Sequence, residues 1–140
     1  MANVFTRAGM AIVTNRIIGA GTEPKFIGVG TSSTAASQAD TALGTEDYST
    51  TNDTTHNLRI TGTSSRVTTA QTNDTYQSVG TFTAAHSTAV NEAGLFDSNG
   101  QATNLTTAPS GGNMLMHAVF STVNLSTGDT LSLTLGVQFT

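Results

Sequence analysis

The last ten residues impose the tightest constraint on the fold. Leu131, Leu133, Leu135, Val137 and Phe139 recur at every second position, with Thr130, Ser132, Thr134 and Gln138 among the residues between them. Successive side chains of an extended chain point to opposite faces, so this run is a β-strand with one apolar face and one polar face. A single strand of this kind has nothing to bury its leucines against, and the rest of the chain must supply a second layer. Segments with strand character precede it at 25–30, 58–62, 66–68, 76–84, 90–96 and 114–123. They are separated by turn-forming stretches such as Asp97-Ser98-Asn99-Gly100, Pro109-Ser110-Gly111-Gly112-Asn113 and Ser126-Thr127-Gly128-Asp129.

One helix is expected, over 7–18. Met10, Val13 and Ile17 fall within about 60° on a helical wheel, with Ala11 and Ile18 beside them, and Gly19 and Gly21 offer a stop. These elements predict a mainly β chain: a small antiparallel β-sandwich with one N-terminal helix. Its single domain spans 1–140, with an arm at 1–6, the sandwich at 24–140 and a long loop at about 35–55. The arm is expected to be docked rather than free. A short echo, Thr51-Asn52-Asp53-Thr54 against Thr72-Asn73-Asp74-Thr75, is no more than a Thr-rich chain produces by accident.

Composition sharpens this. Threonine supplies 28 of the 140 residues, whereas Leu, Ile, Val and Phe together supply 29. Thr is β-branched and suits a pleated, half-wet surface, so the weight falls again on sheet. The private apolar core is thin for a chain of this length, and association is expected to add stability. The 5 Lys and Arg against 9 Asp and Glu form no basic cluster, which argues against nucleic acid or an anionic membrane as partner. No apolar run approaches the roughly 20 residues of a membrane span, and the N-terminus has no signal-peptide pattern, so synthesis in a cytoplasm is expected.

The residues that carry chemistry are scattered. His56, His86 and His117 lie about thirty positions apart with no paired ligand spacing, and there is no cysteine. No G-x-S-x-G elbow accompanies the serines. Glu46 and Asp47 are adjacent, and Glu92 and Asp97 flank an apolar segment, but tryptophan is absent and no aromatic platform marks a sugar cleft. The sequons at Asn52, Asn73, Asn104 and Asn124 are close to the number expected by chance in so Ser- and Thr-rich a chain. The reading is therefore of a non-enzyme, with no catalytic, cofactor-binding or metal-binding residues. Glu92 stands out, because a carboxylate inside the apolar run Val90-Asn91-Glu92-Ala93-Gly94-Leu95-Phe96 must face solvent or accept hydrogen bonds; a pairing with Arg59, Arg66 or a turn is expected.

Around Glu92 the chain resembles a known class. The phrase Asn91-Glu92-Ala93-Gly94-Leu95-Phe96-Asp97, the strand ending Ala118-Val119-Phe120 and the closing Gly128-Asp129-Thr130-Leu131 are similar to segments of small virion structural proteins of tailed bacteriophages. So are Phe5-Thr6-Arg7-Ala8-Gly9, Gly21-Thr22-Glu23-Pro24-Lys25-Phe26-Ile27 and Asp40-Thr41-Ala42-Leu43-Gly44-Thr45-Glu46. The likeness is greatest to capsid decoration (cement) proteins. It implies an oligomeric, non-enzymatic building block, expected as a homotrimer on the outer capsid surface with the major capsid protein as partner. Val4, Phe5 and Tyr48 are the candidate contacts. The alternative is a tail fibre, tip or adaptor protein that contacts the host surface.

Overall fold

The computed structural model describes residues 2–49 and 54–140. In chain order the elements are β1 (Ala2–Phe5), α1 (Arg7–Ile17), β2 (Phe26–Gly30), β3 (Glu46–Asp47), β4 (Ile60–Thr61), β5 (Thr63–Val67), β6 (Thr75–Thr83), β7 (Thr88–Phe96), β8 (Met114–Leu125) and β9 (Thr130–Gln138). The chain is mainly β, with two antiparallel sheets and one helix, as its alternation predicts. The larger sheet runs β1-β8-β7-β2-β3, with β4 pairing the other end of β2; the smaller runs β5-β6-β9. Three of the four residues of the first Thr-Asn-Asp-Thr copy lie outside the described residues. The second copy forms the turn into β6, where Asn73 takes a left-handed conformation (φ 59°).

Between the sheets, Ile27 and Val29 from β2, Leu95 from β7, Phe82 from β6, and Leu133 and Leu135 from β9 share the main core. On β9 the alternation is obeyed at Leu133, Leu135 and Val137, whereas Phe139 lies past the strand end and is 50% exposed. The N-terminal arm docks on its own chain: β1 pairs with β8 from Ala2↔Val119 to Phe5↔Met116.

The helix starts and stops where expected. Thr6 accepts from the Gly9 amide as N-cap, and Gly19 (φ 76°) follows the last turn in the left-handed region. Its rotation about its own axis differs from the sequence reading. The buried side holds Gly9 and Ile12, while Met10 and Ile17 are 53% and 79% exposed. At 100° per residue the buried stripe lies roughly 100° from the one centred on Met10, Val13 and Ile17. The cause is local. The Thr6 hydroxyl donates to the Met114 carbonyl, the Thr6 amide donates to the Leu115 carbonyl, and Gly9 rests on that same carbonyl, where a Cβ would come within 2.7 Å. The glycine side is the only one that can lie so close to β8.

Candidate functional site

The loop between β2 and β3 is exposed over most of its length, but it is tied to the sheet beneath it at several points. Residues 31–47 form a strap across the outer face of the larger sheet, the face turned away from the smaller one. Strand registers place Phe26, Gly28 and Gly30 of β2 beside Phe96, Gly94 and Glu92 of β7 on that face, followed by His117 of β8 opposite Gly94. The glycines hollow the face. A Cβ on Gly28 would come within 2.7 Å of Glu46 Oε1, and one on Gly94 would come within 3.1 Å of Leu43. Leu43 drops into this hollow and forms a small second core with Phe96 and Met114.

Polar groups do the rest of the fastening. Glu92, wholly buried, accepts the amides of Ser32 (3.3 Å), Gly44 (3.0 Å) and Thr45 (2.9 Å), so one side chain grips both ends of the strap. Its Oε2 also meets His117 Nε2 at 2.8 Å, and His117 Nδ1 meets Asp40 Oδ2 at 2.7 Å. Burial pushes the Glu92 carboxyl up, but the hydrogen bonds from His117, Thr45, Gly44 and Ser32 outweigh it and hold it below its ordinary value. The hydrogen bond to Glu92 raises the His117 imidazole above its ordinary value against the effect of burial, with Asp40 adding to it. Two carboxylates are acceptors only, so an imidazole that serves both with N–H donors carries both ring protons and a positive charge.

A second buried pair lies alongside. Arg59 makes a two-pronged contact with Glu46, Nε to Oε1 at 2.6 Å and Nη2 to Oε2 at 2.9 Å. Its remaining donors reach the Ser98 and Gly111 carbonyls at 3.1 and 2.8 Å, and the guanidinium lies 3.5 Å over the Phe96 ring. Burial raises the Glu46 carboxyl above its usual range even beside Arg59. Glu92 thus pairs with a strap and a histidine, and Arg59 with Glu46; Arg66 sits exposed on β5. The carboxylate itself is legible in the sequence, whereas His117 and Asp40, 25 and 77 positions apart from their partners, carry no local signal.

The expected contact residues fall at opposite edges of the larger sheet. Val4 and Phe5 are half-buried on β1, with the Phe5 ring edge-on to Phe139 at 6.4 Å. Tyr48 follows β3, its ring 5.0 Å from that of His86. Here Asp47 accepts from the Thr88 hydroxyl at 2.6 Å and stands 3.2 Å from His86 Nε2, at the mouth of an open polar groove of about 350 Å³.

At the other end lies an apolar groove of about 290 Å³, whose walls include Ile12, Val13 and Ile17 of α1, Pro24, Leu115 and Phe139. Ile18 beside it is 74% exposed.

Among the described residues no three His, Cys, Asp or Glu side chains are grouped to hold a metal ion, and no helix is long and apolar enough to cross a membrane. No protein-family model matches the chain, and no curated protein or solved structure matches it either.

Proposed function

We propose that the chain is a virion structural protein of a tailed bacteriophage, a capsid decoration (cement) protein that binds the outer capsid surface as a homotrimer and stabilises the shell. The likeness of its sequence phrases to such proteins supports this reading. The observation that carries it in the structure is the outward-facing apolar side of α1. Single exposed apolar residues are ordinary, but Ile17 and Phe139 share one groove, walled also by Arg16 and Tyr76, with Met10 on the same helix and Ile18 just past its end. An apolar groove with exposed apolar side chains at its rim is a surface that a partner can cover. The edges of the sandwich agree with it. β9 is one of the two edge strands of the smaller sheet and, unlike β5 with its Arg66, contains no Asp, Glu, Lys or Arg, the residues that usually keep an edge strand from pairing with a neighbour.

As cement, each copy would bury this surface across seams between capsid subunits, so that parting the seam re-exposes apolar area to water. The test is cosedimentation with expanded shells of the phage. The wild-type chain pellets with shells, and the double variant Ile17→Glu, Ile18→Glu binds at least about tenfold more weakly, an effect of the size expected for losing apolar anchors. Equal binding of the double variant removes α1 from the interface. A wild-type chain that stays in the supernatant overturns the cement reading.

A further inference from the structure

The fastening of the strap has a consequence that is independent of any capsid role. The chain of groups Asp40–His117–Glu92 crosses from the strap, through β8, to β7, and it has a single proton donor between two acceptors. We propose that His117 is a latch on the strap 31–47: with both ring nitrogens protonated it ties Asp40 and Glu92 together, and on losing one proton to solvent it releases the strap from the glycine-floored face.

The geometry explains why release follows. A neutral imidazole donates through one nitrogen only, so it keeps one carboxylate and turns a lone pair toward the other. The side chains of His117 and Glu92 are 4% and 0% exposed and that of Asp40 is 28%, so water reaches a bond lost on the Asp40 side but replaces one lost on the Glu92 side only when the strap moves. The charged and titratable groups around His117 are Asp40 from the strap and Glu92 from β7, with Glu46 next to Glu92 and Arg59 bound to Glu46. β1 contributes the uncharged Val4 opposite His117, and β2 contributes Gly30 opposite Glu92. Without the imidazolium, Asp40 and Glu92 lose the cation between them, while Arg59 stays bound to Glu46. The ends of the strap are fixed independently, by Glu46 on Arg59, Asp47 on Thr88 and the Thr31 carbonyl on Asn91, whereas its middle has Leu43, the Gln38 carbonyl that accepts from the Arg7 amide, and the amides held by Glu92. Such a segment opens locally, ahead of the core.

The direction in pH is fixed by the groups. His117, raised from 6.5, contributes in full below that value and loses its contribution as pH rises through its folded-state value. Glu92, lowered from 4.5, contributes above that value and loses its contribution as pH falls through its folded-state value. The latch is closed between these limits and opens at the alkaline end through His117.

The test uses the full chain labelled with ¹⁵N. Long-range ¹H–¹⁵N spectra report the protonation of each ring nitrogen of His117, and amide exchange reports the Gly44 and Thr45 bonds after correction for intrinsic rate. The proposal predicts that both His117 nitrogens are protonated at neutral pH, and that Gly44 and Thr45 lose at least about tenfold of their protection as the ring deprotonates, the size expected for breaking a buried ion pair. In His117→Gln that alkaline loss disappears. Should His117→Gln fail to fold, Asp40→Asn serves instead and must shift the His117 midpoint downward. Titration of His117 at or below 6.5, protection that does not change while His117 deprotonates, or a midpoint unmoved by Asp40→Asn would each overturn the latch.

Discussion

Arg59 is the most demanding side chain of the molecule. Its side chain is 1% exposed, and each of its contacts, to Glu46, Ser98 and Gly111, offsets part of the cost of taking a cation out of water. Removing Glu46 leaves that cation buried and unpaired, so Glu46→Ala is expected to lose about 3–5 kcal/mol of stability in urea unfolding. A loss below about 1 kcal/mol would mean that solvent already reaches the pair. Gly30 makes a related demand: a Cβ there would collide with the Glu92 carboxylate and the Thr45 carbonyl. Gly30→Ala should displace the strap at a cost of about 1–3 kcal/mol, seen as faster exchange at Thr45 with little change on β9. At this scale the sequence was only partly readable. A carboxylate inside 90–96 demands partners, and the residues themselves say so. The identity of those partners depends on which strands the topology sets side by side, and three of them are backbone amides that every residue except proline carries.

Among the elements, the strands were legible and the helix was legible only as a helix. The segments expected at 25–30, 76–84, 90–96, 114–123 and 131–139 correspond to β2, β6, β7, β8 and β9: the last is marked by its two-residue period, which admits one assignment of faces, and the others by apolar runs bounded by turn residues. The short segments were less so: 66–67 fall in β5, which begins at Thr63, β4 keeps only two residues of 58–62, and β1 and β3, expected as an arm and as part of the long loop, are strands. For α1, Met10, Val13 and Ile17 make a stripe that hydropathy alone would bury, yet Gly9 and the Thr6 cap dictate the face that meets β8. Close approach of a helix to a strand is a steric matter, to which hydropathy is blind. β9 offers the direct check on the sandwich. Leu133 is 7% exposed within the main core, so Leu133→Ala should cost about 2–5 kcal/mol by thermal unfolding, and Leu133→Asp should prevent folding. A folded Leu133→Asp chain would show that this face of β9 is not the one that is buried.

For the molecule as a whole, the low apolar content is met in two ways. Inside, a layer of buried charge, Glu46 with Arg59 and Glu92 with His117 and Asp40, covers a sheet face that few apolar side chains are left to cover. This ties stability to pH in opposing senses: Glu92 adds stability above 4.5, whereas Glu46, raised by burial, favours the folded state most when protonated. Unfolding followed from neutral to acid should therefore show a broad, shallow decline in the wild type and a shallower one in Glu92→Gln, which lacks the group that acid would neutralise. Outside, the exposed side of α1 and the uncharged edge at β9 leave apolar and hydrogen-bonding surface that a partner can cover. The central claim, that this surface is seated on a phage shell, is tested most directly by the copy number of the chain in purified virions relative to the major capsid protein. A ratio comparable with the number of capsid subunits is the predicted result, and a ratio far below one copy per subunit, as a tail component would give, would contradict it.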